Sequence, residues 1–425
     1  MGKIPHSLPD FVRLFPDEEA CIRYLFGAHF PSGWVCPKCG DRGELRRVTS
    51  RPRILRCRAD HRHEFSLTAN TIMHRTKIPI WTWFWAAYLV TLNTPGMSAL
   101  QFQKHLGIGR YETAFTMLHK LRAAMVRPDR DLVGGEFPVE VDEKWVGGAT
   151  QGEGKGIHHK TLIVGAVEVR PRSAIPFRGV DPNLPVGQMN QPERKGAARS
   201  VSRKDGPKSE RGGHGRGIVA GRLRLAVVPN REQRTLSQFV SSVVVPGNVV
   251  RTDGWTGYDP LRDLGYAHER VVVAGDQAVT EAHLPMIHIV FGNLDAWLLG
   301  THHGVSRKHL QAYLNEFCFR FNRRFWPGAA FSAVLGIARK VPGPTYEGLY
   351  DGTWVHPGTE NALPGSPLNR SSSLAGAPSL PGARHCPGAA WGGGRALHKP
   401  WSSRTRIGSC APAGQAGAAA SDYSG

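Results

Sequence analysis

The chain is poor in acidic residues, poor in cysteine, and without a long unbroken apolar run. Its 425 residues hold 34 Asp and Glu against 54 Lys and Arg, a formal charge of +20. Seven Cys spread over that length, an odd number, exclude a disulfide-stapled scaffold and suit a reducing cytosol. The longest apolar stretch, Ile78 to Leu92, is broken by Thr82 and carries three Trp. It is too short and too mixed for a membrane span, so no membrane partner is expected. The opening residues hold no apolar segment ending in small residues, so no secretory signal is expected. What is present is a 40% hydrophobic fraction, which excludes a wholly disordered chain. The length suits two or three domains. A basic cytosolic chain of this kind most often meets a polyanion, and nucleic acid leads the candidates.

Composition changes along the chain divide it into zones. Residues 10–75 hold four Cys and a cluster of His, residues 76–130 have helical periodicity, and residues 136–345 alternate β-rich and helical runs. A polar, basic interruption occupies 171–222, with eight Lys or Arg against two acids between Arg194 and Arg216. It suits a clamp on the DNA backbone or simply a solvated loop. The last segment, 356–425, is dominated by Gly, Ala, Pro and Ser and is expected to be disordered.

The first chemical motif is Cys36-Pro-Lys-Cys39, followed after seventeen residues by Cys57 and, three residues further on, His61. Two short-spaced pairs of thiol and imidazole ligands suit tetrahedral Zn²⁺, and the stretch between them alternates enough for a hairpin, giving a zinc ribbon. His61 is the favoured fourth ligand and His63 its rival. No open coordination position is implied, so the zinc is expected to be structural.

In the helical zone, Trp81, Trp85 and Leu89 fall on one face of a helix over Ile78–Asn93 and suggest core packing. Next, Ser98 can cap a helix, Gly107 can end it, and Tyr111–Met125 form a second helix. Helix, short Gly turn, helix suits a DNA-binding helix-turn-helix, although many helical hairpins share the pattern. Arg110, Lys120 and Arg122 are its expected DNA contacts.

The alternating zone places two aspartates in or at the end of apolar strands: Asp142 in VEVDEKWVGG and Asp253 in RTDGWTGY. An Asp at a strand end can be a turn former. Two on neighbouring strands can share Mg²⁺ for phosphoryl transfer. Further on, Asn293 begins a helical run and Lys308 another, which ends in Arg320, Arg323 and Arg324, further expected DNA contacts.

With these motifs in place, the chain resembles DDE-type bacterial insertion-sequence transposases with an N-terminal zinc ribbon, in which Asn often replaces the third acid and a Lys follows. The resemblance rests on the zinc pairs, FSLTANTIMHRTKIP, the two Asp strands, and above all FGNLDAWLLGTHHGVSRKHLQAYLNEFCFRFNRR. It spans roughly residues 10 to 355. It implies an α/β fold: a ribonuclease-H-like catalytic domain, a mixed five-stranded sheet with flanking helices. It also implies catalytic positions at Asp142, Asp253, Asn293 and Lys308, with Mg²⁺ on the two aspartates. The expected activity is Mg²⁺-dependent DNA cleavage and strand transfer at terminal inverted repeats, by a dimer on paired ends at the nucleoid. A ribonuclease-H-like nuclease and a non-catalytic DNA-binding protein derived from a degenerate transposase are the rival readings. The chain has His61 where many relatives have Cys, Asn70 where they usually have Gly, and Lys144-Trp145 where Thr-Tyr is common.

Overall fold

The computed structural model describes residues 5, 7–43, 45–48, 50–93, 96–127, 130–147, 160–174, 217–271 and 283–355. All of them fall within the compact unit Met1–Ser373. The tail from residue 356 and most of the basic interruption, 175–216, lie outside the described residues.

Helix α1 (Leu8–Leu14) is capped by the Ser7 side chain, and α2 (Glu18–His29) by Asp17, whose carboxylate accepts from the Ala20 amide at 2.8 Å. Three short antiparallel strands follow, β1 (Arg46–Val48), β2 (Arg51–Arg56) and β3 (Glu64–Ser66). Asn70 adopts φ 57°, a left-handed conformation that Asn tolerates better than most side chains.

Helix α3 (Ile80–Leu92) starts at Pro79, which offers no side-chain cap. Glu18 of α2 supplies it, accepting from the Ile80 and Trp81 amides at 3.0 and 2.7 Å. The expected Trp81–Trp85–Leu89 stripe is the more accessible side of α3. Ile80, Trp83, Phe84, Ala86, Ala87 and Val90 are the most deeply buried positions. The helical hairpin is present as α4 (Ala99–His105) and α5 (Tyr111–Ala123). Ser98 and Gln101 form a capping box, and Gly107 takes φ 61° in the turn.

The second layer is a five-stranded sheet built from β4 (Val139–Val146), β5 (Thr161–Pro171), β6 (Ile218–Val227), β7 (Val249–Thr252) and β8 (Ala267–Arg270), in the order β6-β5-β4-β7-β8. The first three pair antiparallel, while β4–β7 and β7–β8 pair parallel. Helix α6 (Gln233–Val243) connects β6 to β7 and packs on one face, where Leu236, Phe239 and Val240 meet Val141, Val164 and Val250. Helices α7 (Pro285–His302) and α8 (Leu310–Asn322) cover the other. β5 is buried on both faces, and TLIVGAVEV is accordingly apolar almost throughout.

Two further helices, α9 (Pro327–Ala338) and α10 (Tyr346–Asp351), end the described chain. α9 returns to the N-terminal zones: Phe331 sits among the rings of Phe11, Phe15, Phe84 and Tyr88. Leu55 and Leu67 of the ribbon, α3, α5 and α9 therefore share one core.

Candidate active site and zinc centre

Two tight turns build the N-terminal cluster. In the first, the Gly40 amide donates to the Cys36 carbonyl at 2.9 Å, bringing Cys36 and Cys39 to one side. In the second, the Cys57 amide donates to the His63 carbonyl at 2.9 Å and the His63 amide to Asp60 at 3.0 Å. That turn folds His63 back beside Cys57 and leaves His61 exposed. The four ligand groups gathered within 4.8 Å are Cys36, Cys39, Cys57 and His63. The expectation of His61 is thus corrected: the closing hydrogen bond selects the rival histidine. His63 Nδ1 lies 3.8 Å from Cys36 Sγ, while its Nε2 faces Asp60 at 3.6 Å, the carboxylate–histidine arrangement that orients a metal-binding imidazole. Burial pushes the Cys36 thiol up, but the Lys38 and Cys39 amides and the neighbouring thiols outweigh it and bring it to about 7. Three thiols and one imidazole fit a closed structural zinc site.

The second cluster lies where β4 and β7 run side by side. Asp142, Glu143 and Asp253 place carboxylate oxygens within 4.8 Å of one another. Asp142 is positioned by the helix above it. Glu140, two residues earlier on the same face, accepts from the Met286 and Ile287 amides at 2.7 and 2.9 Å and so ties the start of α7 to β4. Gly165, the register partner of Asp142 on β5, lets α7 close: an added Cβ would lie 2.8 Å from Ile287 and 3.1 Å from Phe291. His288 of α7 then stands 3.6 Å from Asp142. Asp253 follows the last residue of β7 and accepts from the Trp255 amide at 3.0 Å, which fixes its rotamer.

Glu143 is the member the sequence reading missed. It accepts from Tyr258 Oη at 2.6 Å and from Arg231 Nε at 2.7 Å. Arg231 itself lies over the Trp255 ring at 4.3 Å. Burial, then the charges of Glu143 and Asp253, push the Asp142 carboxyl up to about 8. A carboxylate group so crowded is stabilised by a bound cation, and an oxygen-only donor set suits Mg²⁺ or Mn²⁺. Divalent ion should therefore raise the melting temperature, and Asp142→Asn should raise that of the metal-free protein while abolishing the Mn²⁺-induced rise. Thermal melts with and without Mn²⁺ check both.

The remaining expected residues are more dispersed. Asn293 is exposed within α7, which begins eight residues earlier, at Pro285, and does not start at Asn293. Five residues beyond His288, its side chain leaves the helix about 140° away from it. Asp295 returns to the His288 side and pairs with Lys144 at 2.5 Å. Lys308 is exposed in the turn before α8, its Nζ 2.5 Å from the Tyr350 carbonyl.

Among the expected DNA contacts, Arg110 is exposed and Lys120 is half-buried. Arg122 is 1% exposed and bonded to Glu316 of α8 at 2.8 Å, with Tyr313 stacked at 3.8 Å. Its expected role at the DNA surface is corrected: it is an internal strut between α5 and α8. Arg320 bonds the Asn93 carbonyl, Arg323 the Phe319 carbonyl and Arg324 the Phe321 carbonyl, all partly buried.

With this geometry established, two models of known families match parts of the chain. Residues 16–63 match the transposase zinc-ribbon domain, and residues 200–322 match the ISXO2-like transposase domain. Together the two matches support a zinc-ribbon insertion-sequence transposase, a DNA-processing enzyme. Asp253, Asn293 and Lys308 lie inside the second match, whereas Asp142 precedes it. No curated protein and no solved structure matches the chain. Among the described residues, no helix is long and apolar enough to cross a membrane.

Proposed function

We propose that this protein cuts DNA at the terminal inverted repeats of an insertion sequence and joins the freed ends to target DNA, using divalent ions on a ribonuclease-H-like sheet. The observation that carries the reading is the convergence of Asp142 and Asp253 from parallel-paired β4 and β7. A mixed five-stranded sheet with helices on both faces supports the ribonuclease-H-like reading.

Asp142 and Asp253 would hold Mg²⁺, with Glu143 fixed beside them by Arg231 and Tyr258. Bound there, Mg²⁺ would supply Lewis-acid activation of the attacking and leaving oxygens. Hydrolysis of one phosphodiester frees a 3′-hydroxyl. That hydroxyl then attacks a target phosphodiester and displaces the target's 3′-oxygen, so no covalent protein–DNA link is required. Asn293, the third position that the resemblance implies, lies about 140° round α7 from His288 and would stand apart from the two aspartates, and Lys308 would contact a phosphate as a point charge. The ribbon and the helical hairpin would bind the repeats, two copies working on paired ends at the nucleoid. A joining assay on a duplex carrying the flanking repeat, with purified protein and Mg²⁺, tests the reading. Cutting without joining would favour a nuclease, and binding alone a non-catalytic protein.

The arginines separate by burial. Arg122→Ala leaves the buried Glu316 with only the longer contact to Arg320, at 3.6 Å, and should cost about 3 kcal/mol of stability in denaturant titrations. Arg110→Ala should leave stability within about 0.5 kcal/mol and reduce the salt slope of DNA binding by about 1.

A further inference from the structure

Beyond the catalytic and zinc clusters, a cleft of about 1080 Å³ opens between the helical hairpin and the GTHHGVS turn that joins α7 to α8. One wall carries Tyr111 and Phe115 of α5, the other His302, His309 and Tyr313. The rings continue one into the next: Tyr111 stacks on Phe115 with centroids 6.0 Å apart, Phe115 meets His309 at 5.5 Å, His119 bridges His309 at 5.0 Å and Tyr313 at 5.8 Å, and Tyr313 meets His302 at 4.7 Å. The outer end of this ladder is open, with Tyr111 46% exposed and Leu100 53% exposed. Burial first, then neighbouring cations, bring His302 and His309 down to about 4, so both rings are neutral near pH 7. Asn93, Ser98, Gln101 and Ser306 add amide and hydroxyl groups to the lining, which contains no Asp or Glu. The residues next in sequence to the lining include the exposed cations Lys104, Arg110, Arg307 and Lys308 against one exposed acid, Glu112.

We propose that this cleft takes one or more unpaired nucleobases of the DNA end, stacked on the Tyr111–Phe115 and His309–Tyr313 rings while the rim cations hold the flanking phosphates. The inference rests on the reading of the chain as a DNA-processing enzyme and adds a single-strand subsite to it. The chemistry of the cleft favours this occupant. Neutral rings accept the π-face of any base, amides and hydroxyls meet base edges, an acid-free lining does not repel phosphate, and the basic rim neutralises it. The volume slightly exceeds the range of about 300–1,000 Å³ for small-molecule pockets, leaving room for more than one base. Its position fits as well. His302 lies fourteen residues along α7 from His288, beside Asp142, about 21 Å of helix axis. That is the rise of about six base pairs, so the unpaired base would lie within about six positions of the scissile phosphate.

The test uses the full chain in Ca²⁺ with two fluorescein-labelled 20-bp duplexes, one blunt and one with a six-thymidine 3′ overhang. The wild type should bind the overhang duplex roughly ten-fold more tightly, the scale of one stacked base. Tyr111→Ala, a change at an exposed helix position, should bring that ratio close to one, the overhang affinity of each protein being read against its own blunt-duplex affinity. Abasic residues in place of the thymidines should remove the preference for the wild type. 2-Aminopurine in the overhang should be quenched by the wild type and not by Tyr111→Ala. An overhang preference that survives Tyr111→Ala, or that abasic residues support equally well, overturns the proposal, because the phosphates alone would then explain binding. Equal affinity of the wild type for both duplexes overturns it too. Failure to bind the blunt duplex, together with failure to join DNA, would instead overturn the transposase reading.

Discussion

Asp142→Asn and Asp253→Asn should each reduce strand transfer by at least about 100- to 1000-fold, the scale on which one preorganised electrostatic group is lost from an active site. Affinity for a terminal-repeat duplex should stay at the wild-type level, since neither change touches the ribbon or the hairpin. The expectation follows from how the two side chains are held. Asp142 is anchored through Glu140 and the start of α7, and Asp253 through the Trp255 amide, so each points its oxygens at a fixed place before any ion arrives. Asn keeps the shape of Asp and supplies one neutral oxygen in place of a charged pair. The fold survives while the charge that holds a hard cation is lost. The joined product, resolved on a sequencing gel, is the readout, with a mobility-shift titration of the same proteins as the control for binding. Joining at wild-type rate by either variant would remove that aspartate from the site.

These two aspartates were legible in the sequence because an Asp in or after an apolar strand, beside a Gly-rich turn, is unusual and local. Glu143 was not. Strand alternation sends it to the face opposite Asp142, and only Tyr258 and Arg231, more than eighty residues away, bring its carboxylate beside the pair. The same limit of range explains Arg122. A basic residue near the end of a helix next to a Gly turn has the local character of a DNA contact, and its partner Glu316 lies 194 residues further on. The start of α7 was hidden because its cap comes from Glu140, 146 residues before Met286. Strand β8, AHER, has one buried residue in four and no apolar run to mark it. The core tells a similar story. Periodicity identified α3 as a packed helix but not its buried side, because α9, more than two hundred residues later, covers the chain from a direction the pattern does not encode.

Zinc removal should have the other large effect. The ribbon has three strands of three to six residues, too little sheet to hold its turns without a cross-link. Structural zinc in small domains contributes on the order of 10–16 kcal/mol of apparent binding free energy, which is folding free energy for the segment it closes. Chelation should therefore unfold residues 30–75, seen as rapid amide exchange there, and should weaken binding to element ends. The loss will not stop at the ribbon. Leu55 and Leu67, with Ile72 and Met73 just beyond it, belong to the core shared with α3 and α9, so the hairpin's platform should soften as well. The ligand assignment gives the decisive comparison. His63→Ala should lose stoichiometric zinc, measured by metal analysis of the purified protein, because His63 occupies the fourth corner. His61→Ala should keep it, because His61 stands exposed at the tip of the turn closed by the Cys57 amide and the His63 carbonyl. Asp60→Ala should lower zinc affinity by about 10- to 100-fold, the effect of a carboxylate that orients a metal-binding imidazole. If end binding persists after zinc is fully removed and the ribbon has unfolded, recognition rests on the hairpin, and the ribbon's role is confined to supporting the core beneath it.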